Sequence, residues 1–69
     1  MGVPETLGER IQAALDMRDM TQADLARATG LSTGLIAMIV NGRTKDPRFS
    51  NIVKIARALD VSLNYLAGK

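Results

Sequence analysis

The chain has 69 residues, 46% of them apolar, a formal net charge of +2, and neither cysteine nor histidine. This length holds one domain at most, and so small a core typically supplies only ~3–5 kcal/mol of net stability. The missing thiols and imidazoles exclude a disulfide framework, a thiolate metal site and the usual general base of neutral-pH catalysis.

Five short helices are predicted. The first opens on Thr6, with Glu9 three residues on completing a capping box. Leu7, Ile11, Ala14 and Leu15 then recur at helical spacing and give one apolar face. The second follows Thr21 as N-cap, runs "QADLARA", and stops at Gly30, because glycine takes the left-handed conformation without a Cβ clash. Ser32 caps the third, which ends at Gly42 and turns Ile36 and Ile39 inward. "DPRF" reads as Asp46 at the N-cap and Pro47 at the first position of the fourth helix, whose buried stripe is Ile52, Ile55, Ala56 and Leu59. Ser62 caps a last short helix, "LNYLA". No strand alternation, repeat or low-complexity linker is present. The fold class is therefore all-α, a compact five-helix bundle. No apolar run approaches the ~20 residues of a membrane span, and no signal-peptide pattern is present, so a soluble cytoplasmic domain is expected.

The informative stretch is "QADLARATGLSTGLIAMIVNG", from Gln22 to Gly42. Two helices joined by a turn of three or four residues cross steeply. Close crossing wants a small residue, and Ala26 supplies it. The turn wants positive φ, and Gly30 sits four residues later. The second helix needs apolar pins three apart, which Ile36 and Ile39 provide, with Leu25 and Leu31 filling beneath. Charge is uneven around this stretch. Residues 1–42 balance to −2, residues 43–57 to +4 through Arg43, Lys45, Arg48, Lys54 and Arg57 against Asp46, and residues 58–69 cancel. A local basic stretch suits an anionic partner such as a phosphate backbone; a merely solvated face is the equal alternative on charge alone.

With its continuation "NGRTKDPRF" and its closing "ALDVSLNYLAG", the chain resembles the lambdoid phage repressor and Cro (XRE-like) family of helix-turn-helix domains, in particular its phage 434 members. The similarity runs from about Thr6 to Gly68. It implies a transcriptional regulator that docks the third helix in the major groove of double-stranded DNA. It also implies a homodimer on a palindromic operator, with half-sites ~34–36 Å apart. Carried over by position, Thr33, Gly34, Ala37 and Met38 would face base edges. Gln22, Ser32, Asn41, Arg43 and Lys45 would contact the phosphate backbone, and Arg48 would approach the minor groove. No cofactor, metal, membrane or small-molecule substrate is implied.

The departures from the family's pattern carry information. Thr33, Gly34 and Met38 stand where Gln, Lys or Arg is common, and none of them forms a bidentate bond to a purine. Methyl and thioether contacts to thymine, with Arg48 favouring a narrow A·T-rich minor groove, are the expected substitute. The family's buried Arg–Glu pair between the first and third helices falls on Leu15 and Val40, an apolar pair with no expected loss of stability. A protein-interaction or antitoxin-type module, using Leu35, Ala37 and Met38 as its patch, is the alternative. An enzyme is not expected, since no nucleophile–base pair can be named.

Overall fold

The computed structural model describes residues 3–44 and 46–68. Over those residues the chain forms α1 (Leu7–Met17), α2 (Gln22–Thr29), α3 (Thr33–Val40), α4 (Phe49–Leu59) and α5 (Leu63–Ala67), with no strand.

Hydroxyl caps set four of the five starts. Thr6 Oγ1 accepts from the Glu9 N–H at 3.1 Å, while Glu9 Oε1 accepts from the N–H groups of Glu5 and Thr6 at 3.0 Å each. Thr21 and Asp24 form a second reciprocal box, with bonds of 3.0 and 2.9 Å. Ser32 and Ser62 accept from the Leu35 and Tyr65 N–H groups. These bonds satisfy orphan donors of the first turn.

The two boxes also depress their carboxylates. The Glu5 N–H first, then the Thr6 N–H, hold Glu9 below its ordinary value. Asp24 is lowered first by the Thr21 N–H, with the Thr21 hydroxyl and Arg27 adding to it. A carboxylate with a folded pKa below its unfolded one contributes stability above the unfolded pKa and loses it as pH falls through the folded one. The Glu9→Gln/Asp24→Asn variant is therefore expected to melt below the parent at pH 7. The gap should close as pH falls from about 4 toward 2, which thermal unfolding across that range would check.

The start of α4 departs from the sequence expectation. Asp46 is not its N-cap and Pro47 is not its first residue. The helix begins at Phe49, with Arg48 extended at the N-cap (φ −61, ψ 137) and no side-chain cap bond. Arginine has donors and no acceptor, so it cannot serve the helix N–H groups. Proline's fixed φ suits extended backbone as well as a first helical turn, so Pro47 did not decide between them.

Helix ends use left-handed residues. Gly30 (φ 76) closes α2, Gly42 (φ 74) follows α3, and Asp19 (φ 58) and Asp60 (φ 54) do the same work after α1 and α4. Met20 N–H reaches Leu15 O at 2.9 Å and Val61 N–H reaches Ala56 O at 3.0 Å, the long bond of a Schellman ending in each case.

The core takes residues from every helix. Ile11, Leu15, Leu25, Ile36, Ile55 and Leu59 are 0% exposed, and Ile39 and Leu66 are 2%. No charged side chain among the described residues is buried. Helix α3 packs on both α1 and α2, while α2 packs on α4, and α5 closes the bundle against α1 and α4. Where α1 crosses the end of α3 the backbones nearly touch: a Cβ on the buried Gly8 would lie 2.1 Å from Val40 O. Among the described residues no single helix is long and apolar enough to cross a membrane.

Candidate nucleic-acid interface

The direction of α3 is fixed by the turn before it. The axes of α2 and α3 turn by 120°, within the range of helix-turn-helix units. The Thr29 hydroxyl lies 2.8 Å from Leu25 O and 3.2 Å from Ala26 O as donor, and accepts from the Leu31 N–H at 3.2 Å. It thus ties the last turn of α2 to the residue after Gly30. Ala26 is buried, as close crossing requires, and Ile36 and Ile39 pin α3 from beneath.

With that side fixed inward, the opposite side of α3 is open. Thr33, Gly34 and Met38 are exposed and Ala37 is half-buried. Gly34, Ala37, Met38 and Asn41 stand at i, i+3, i+4 and i+7, one outward stripe of the helix. Three of the four residues expected to face bases, Gly34, Ala37 and Met38, therefore share that stripe with Asn41, and Thr33 precedes them at the start of the helix. Leu35, on the flank, is half-buried against the core.

The backbone after α3 folds back on its own last turn. Gly42 N–H donates to Ile39 O at 3.2 Å and Arg43 N–H to Met38 O at 2.9 Å. This Schellman ending needs the left-handed Gly42 and sets Arg43 directly after the stripe. Arg43 and Arg48 are exposed and make no ion pair among the described residues. Lys45, the remaining cation expected here, lies outside the described residues. The Thr44 hydroxyl between them is buried and has no hydrogen-bond partner among the described residues.

At the start of α2, Gln22 is half-buried and donates from Nε2 to Gln12 Oε1 at 3.3 Å, while Gln12 Nε2 donates to Asp16 Oδ1 at 2.9 Å. This chain of amides ties the Gln22 side chain to α1. Sequence reading missed Gln12 and Thr29, because both act through bonds that cross between elements or bridge a turn. Ser32 is exposed, and its hydroxyl is engaged as the cap of α3.

A steeply crossed helix pair, pinned on one side and open on the other, defines a helix-turn-helix domain. The sequence matches the helix-turn-helix family over residues 11–66, and the chain belongs to that family. It is 36% identical over 63 residues to the HTH-type transcriptional regulator for conjugative element SXT of Vibrio cholerae, covering 91% of this chain and 28% of that protein. It is 36% identical over 67 residues to the HTH-type transcriptional repressor RghR of Bacillus subtilis, covering 93% of this chain and 50% of that protein. The chain thus spans at most about half the length of these relatives. Its structure is similar to the P22 c2 repressor solved in complex with a synthetic operator, with a TM-score of 0.82 and 31% identity over 90% of this chain and 92% of that one.

Proposed function

We propose that the chain is the double-stranded DNA-binding domain of a transcriptional regulator, placing α3 in the major groove and acting as a homodimer on a palindromic operator. The observation that carries this is the open stripe of α3 bordered by Arg43 and Arg48, two exposed cations without a carboxylate partner among the described residues. Thr33, Gly34, Ala37 and Met38 face the bases in this reading. Gln22, Ser32, Asn41, Arg43 and Lys45 hold the phosphate backbone, and Arg48 approaches the minor groove. The operator-bound repressor to which the fold is similar supports it. Docking of a protein partner on α3 is less favoured. Met38 is the one large apolar side chain exposed on the helix, and partner sites are marked by larger patches.

The test is a duplex DNA titration at several salt concentrations, using a sequence selected from a randomised pool. Binding should fall steeply with salt, because phosphate contacts release counterions. Arg43→Ala and Arg48→Ala should each weaken binding and lower the magnitude of the log–log salt slope by about 1, leaving the order of sequence preference unchanged for Arg43. An enriched palindrome with half-sites one helical turn apart is the result expected of a dimer. Absence of binding to any duplex overturns the reading.

A further inference from the structure

Consecutive helices usually lie against one another, yet α1 and α2 both pack on α3 and little on each other. Among the described residues one hydrogen bond between side chains joins them. Gln22 Nε2 donates to Gln12 Oε1 at 3.3 Å, both residues being half-buried, and Gln12 Nε2 donates to Oδ1 of the exposed Asp16 at 2.9 Å. Apart from the pairing of Arg27 with Asp24 inside α2, these are the only hydrogen bonds between two side chains among the described residues. A relay of three polar side chains thus runs from the exposed face of α1 to the first residue of α2.

The relay has a fixed polarity. A carboxylate only accepts, so the half of the Gln12 amide that faces Asp16 must be its NH2, and the half that faces Gln22 must be its oxygen. Gln22 must then meet that oxygen with its own NH2. Asp16 forms no ion pair among the described residues, and its carboxylate serves Gln12 alone. As a stabilising device the relay is weak: a long, neutral, half-exposed hydrogen bond between helices that α3 already holds adds little to the fold. As an ordering device it is well placed. A free glutamine side chain gives up much rotamer freedom when it is fixed. A side chain held before its partner arrives does not lose that freedom on binding.

We propose that Gln12, its amide oriented by Asp16, is a positioning residue for the DNA phosphate contact assigned to Gln22. An amide NH2 has two hydrogens to donate. Gln12 engages one, and the other is the donor that a phosphate oxygen takes. Gln12 brings no charge and touches no DNA; it acts through Gln22, by holding that side chain in few rotamers. The proposal rests on the DNA-binding reading above and deepens it, because it gives α1 a part in a surface otherwise built from α2, α3 and the residues after them.

The experiment measures affinity for the selected duplex in Gln12→Ala, Gln22→Ala and the double variant, below the Tm of each. Gln22→Ala should bind about ten-fold more weakly, the loss of a hydrogen bond to a charged group. Gln12→Ala should bind about three-fold more weakly with its log–log salt slope unchanged, because no charge or phosphate contact is removed. The double variant should bind as Gln22→Ala does, since the two losses act through one contact and do not add. A purely structural Gln12 would cost the same factor in both backgrounds. The Gln12→Glu/Asp16→Asn variant keeps the net charge and reverses the first link: the new amide at position 16 donates to the new carboxylate at position 12, which still accepts from Gln22. It should bind within about two-fold of the parent. If Gln12→Ala or Gln22→Ala binds as the parent does, if the Gln12→Ala loss persists in full without Gln22, or if the exchanged pair binds no better than Gln12→Ala, the positioning role is overturned and the DNA-binding reading stands. If the parent binds no duplex of any sequence, both fall together.

Discussion

The Gly8→Ala variant is expected to melt roughly 10 °C or more below the parent. On helix propensity alone it should be more stable, since alanine is favoured over glycine by about 1 kcal/mol inside a helix. Packing decides against it. The added Cβ would sit 2.1 Å from Val40 O, 2.7 Å from Val40 C and 3.0 Å from Ile39 O, where ordinary contact begins at 3.4 Å. The obstructing atoms are backbone, so no rotamer change relieves them, and α1 and α3 must part. Parting them loosens Ile11, Ile36 and Ile39, all at or below 2% exposed. Overpacking of this kind costs about 1–3 kcal/mol, occasionally more. Because the atoms met are backbone, the cost sits at the upper end, about 3 kcal/mol. Less the propensity gain of about 1 kcal/mol, it leaves a net loss near 2 kcal/mol, which at about 4–8 °C per kcal/mol in a domain of this size gives the stated shift. Gly34→Ala is the internal control: the same substitution, on a helix of the same bundle with open space, should not lower Tm. A Gly8→Ala protein melting at or above the parent would show that the α1–α3 backbone contact does not constrain the fold.

Gly8 also marks the limit of what the sequence displayed. The turn chemistry was legible because it is local. Thr6, Thr21, Ser32 and Ser62 each cap within three residues of themselves, and Gly30 and Gly42 end α2 and α3 where the pattern puts them. Ends made with aspartate were not legible. Asp19 and Asp60 occupy the left-handed region that glycine usually signals, and an aspartate elsewhere is an ordinary surface residue. The close crossing was read at Ala26, which is buried, but the tighter one lies at Gly8. Its signal was present, a glycine two residues into a helix with no turn to explain it. Which backbone it meets depends on a segment more than thirty residues away. At the candidate site, the face of α3 followed from the spacing of Ile36 and Ile39. The Gln12–Gln22 bond and the hydroxyl bridge of Thr29 depend on where side chains point, which spacing does not fix.

The Leu15→Arg variant should be largely unfolded at 25 °C, and adding Val40→Glu should restore the fold without exceeding the parent's stability. The resemblance places an Arg–Glu pair at these two positions, whereas this chain has leucine and valine. Leu15 is 0% exposed in a core with no buried charge among the described residues, and Val40 is partly buried against that core. An unpartnered charge at such a site costs about 3–5 kcal/mol. That equals the whole net stability, ~3–5 kcal/mol, that a core of this size typically supplies. The glutamate of the double variant returns Coulomb attraction across the junction of α1 with α3. Both ions must still leave water, and desolvation offsets most of that gain. Chemical denaturation of the parent, the single and the double variant, followed by circular dichroism, would measure all three. A double variant more than about 1 kcal/mol above the parent would mean that the apolar pair weakens this junction. A double variant no better folded than the single would mean that positions 15 and 40 do not face each other. Recovery to the parent's level or slightly below would show that an apolar contact holds α3 in place as firmly as an ion pair does. In that case α3 needs no charge within the core to be held.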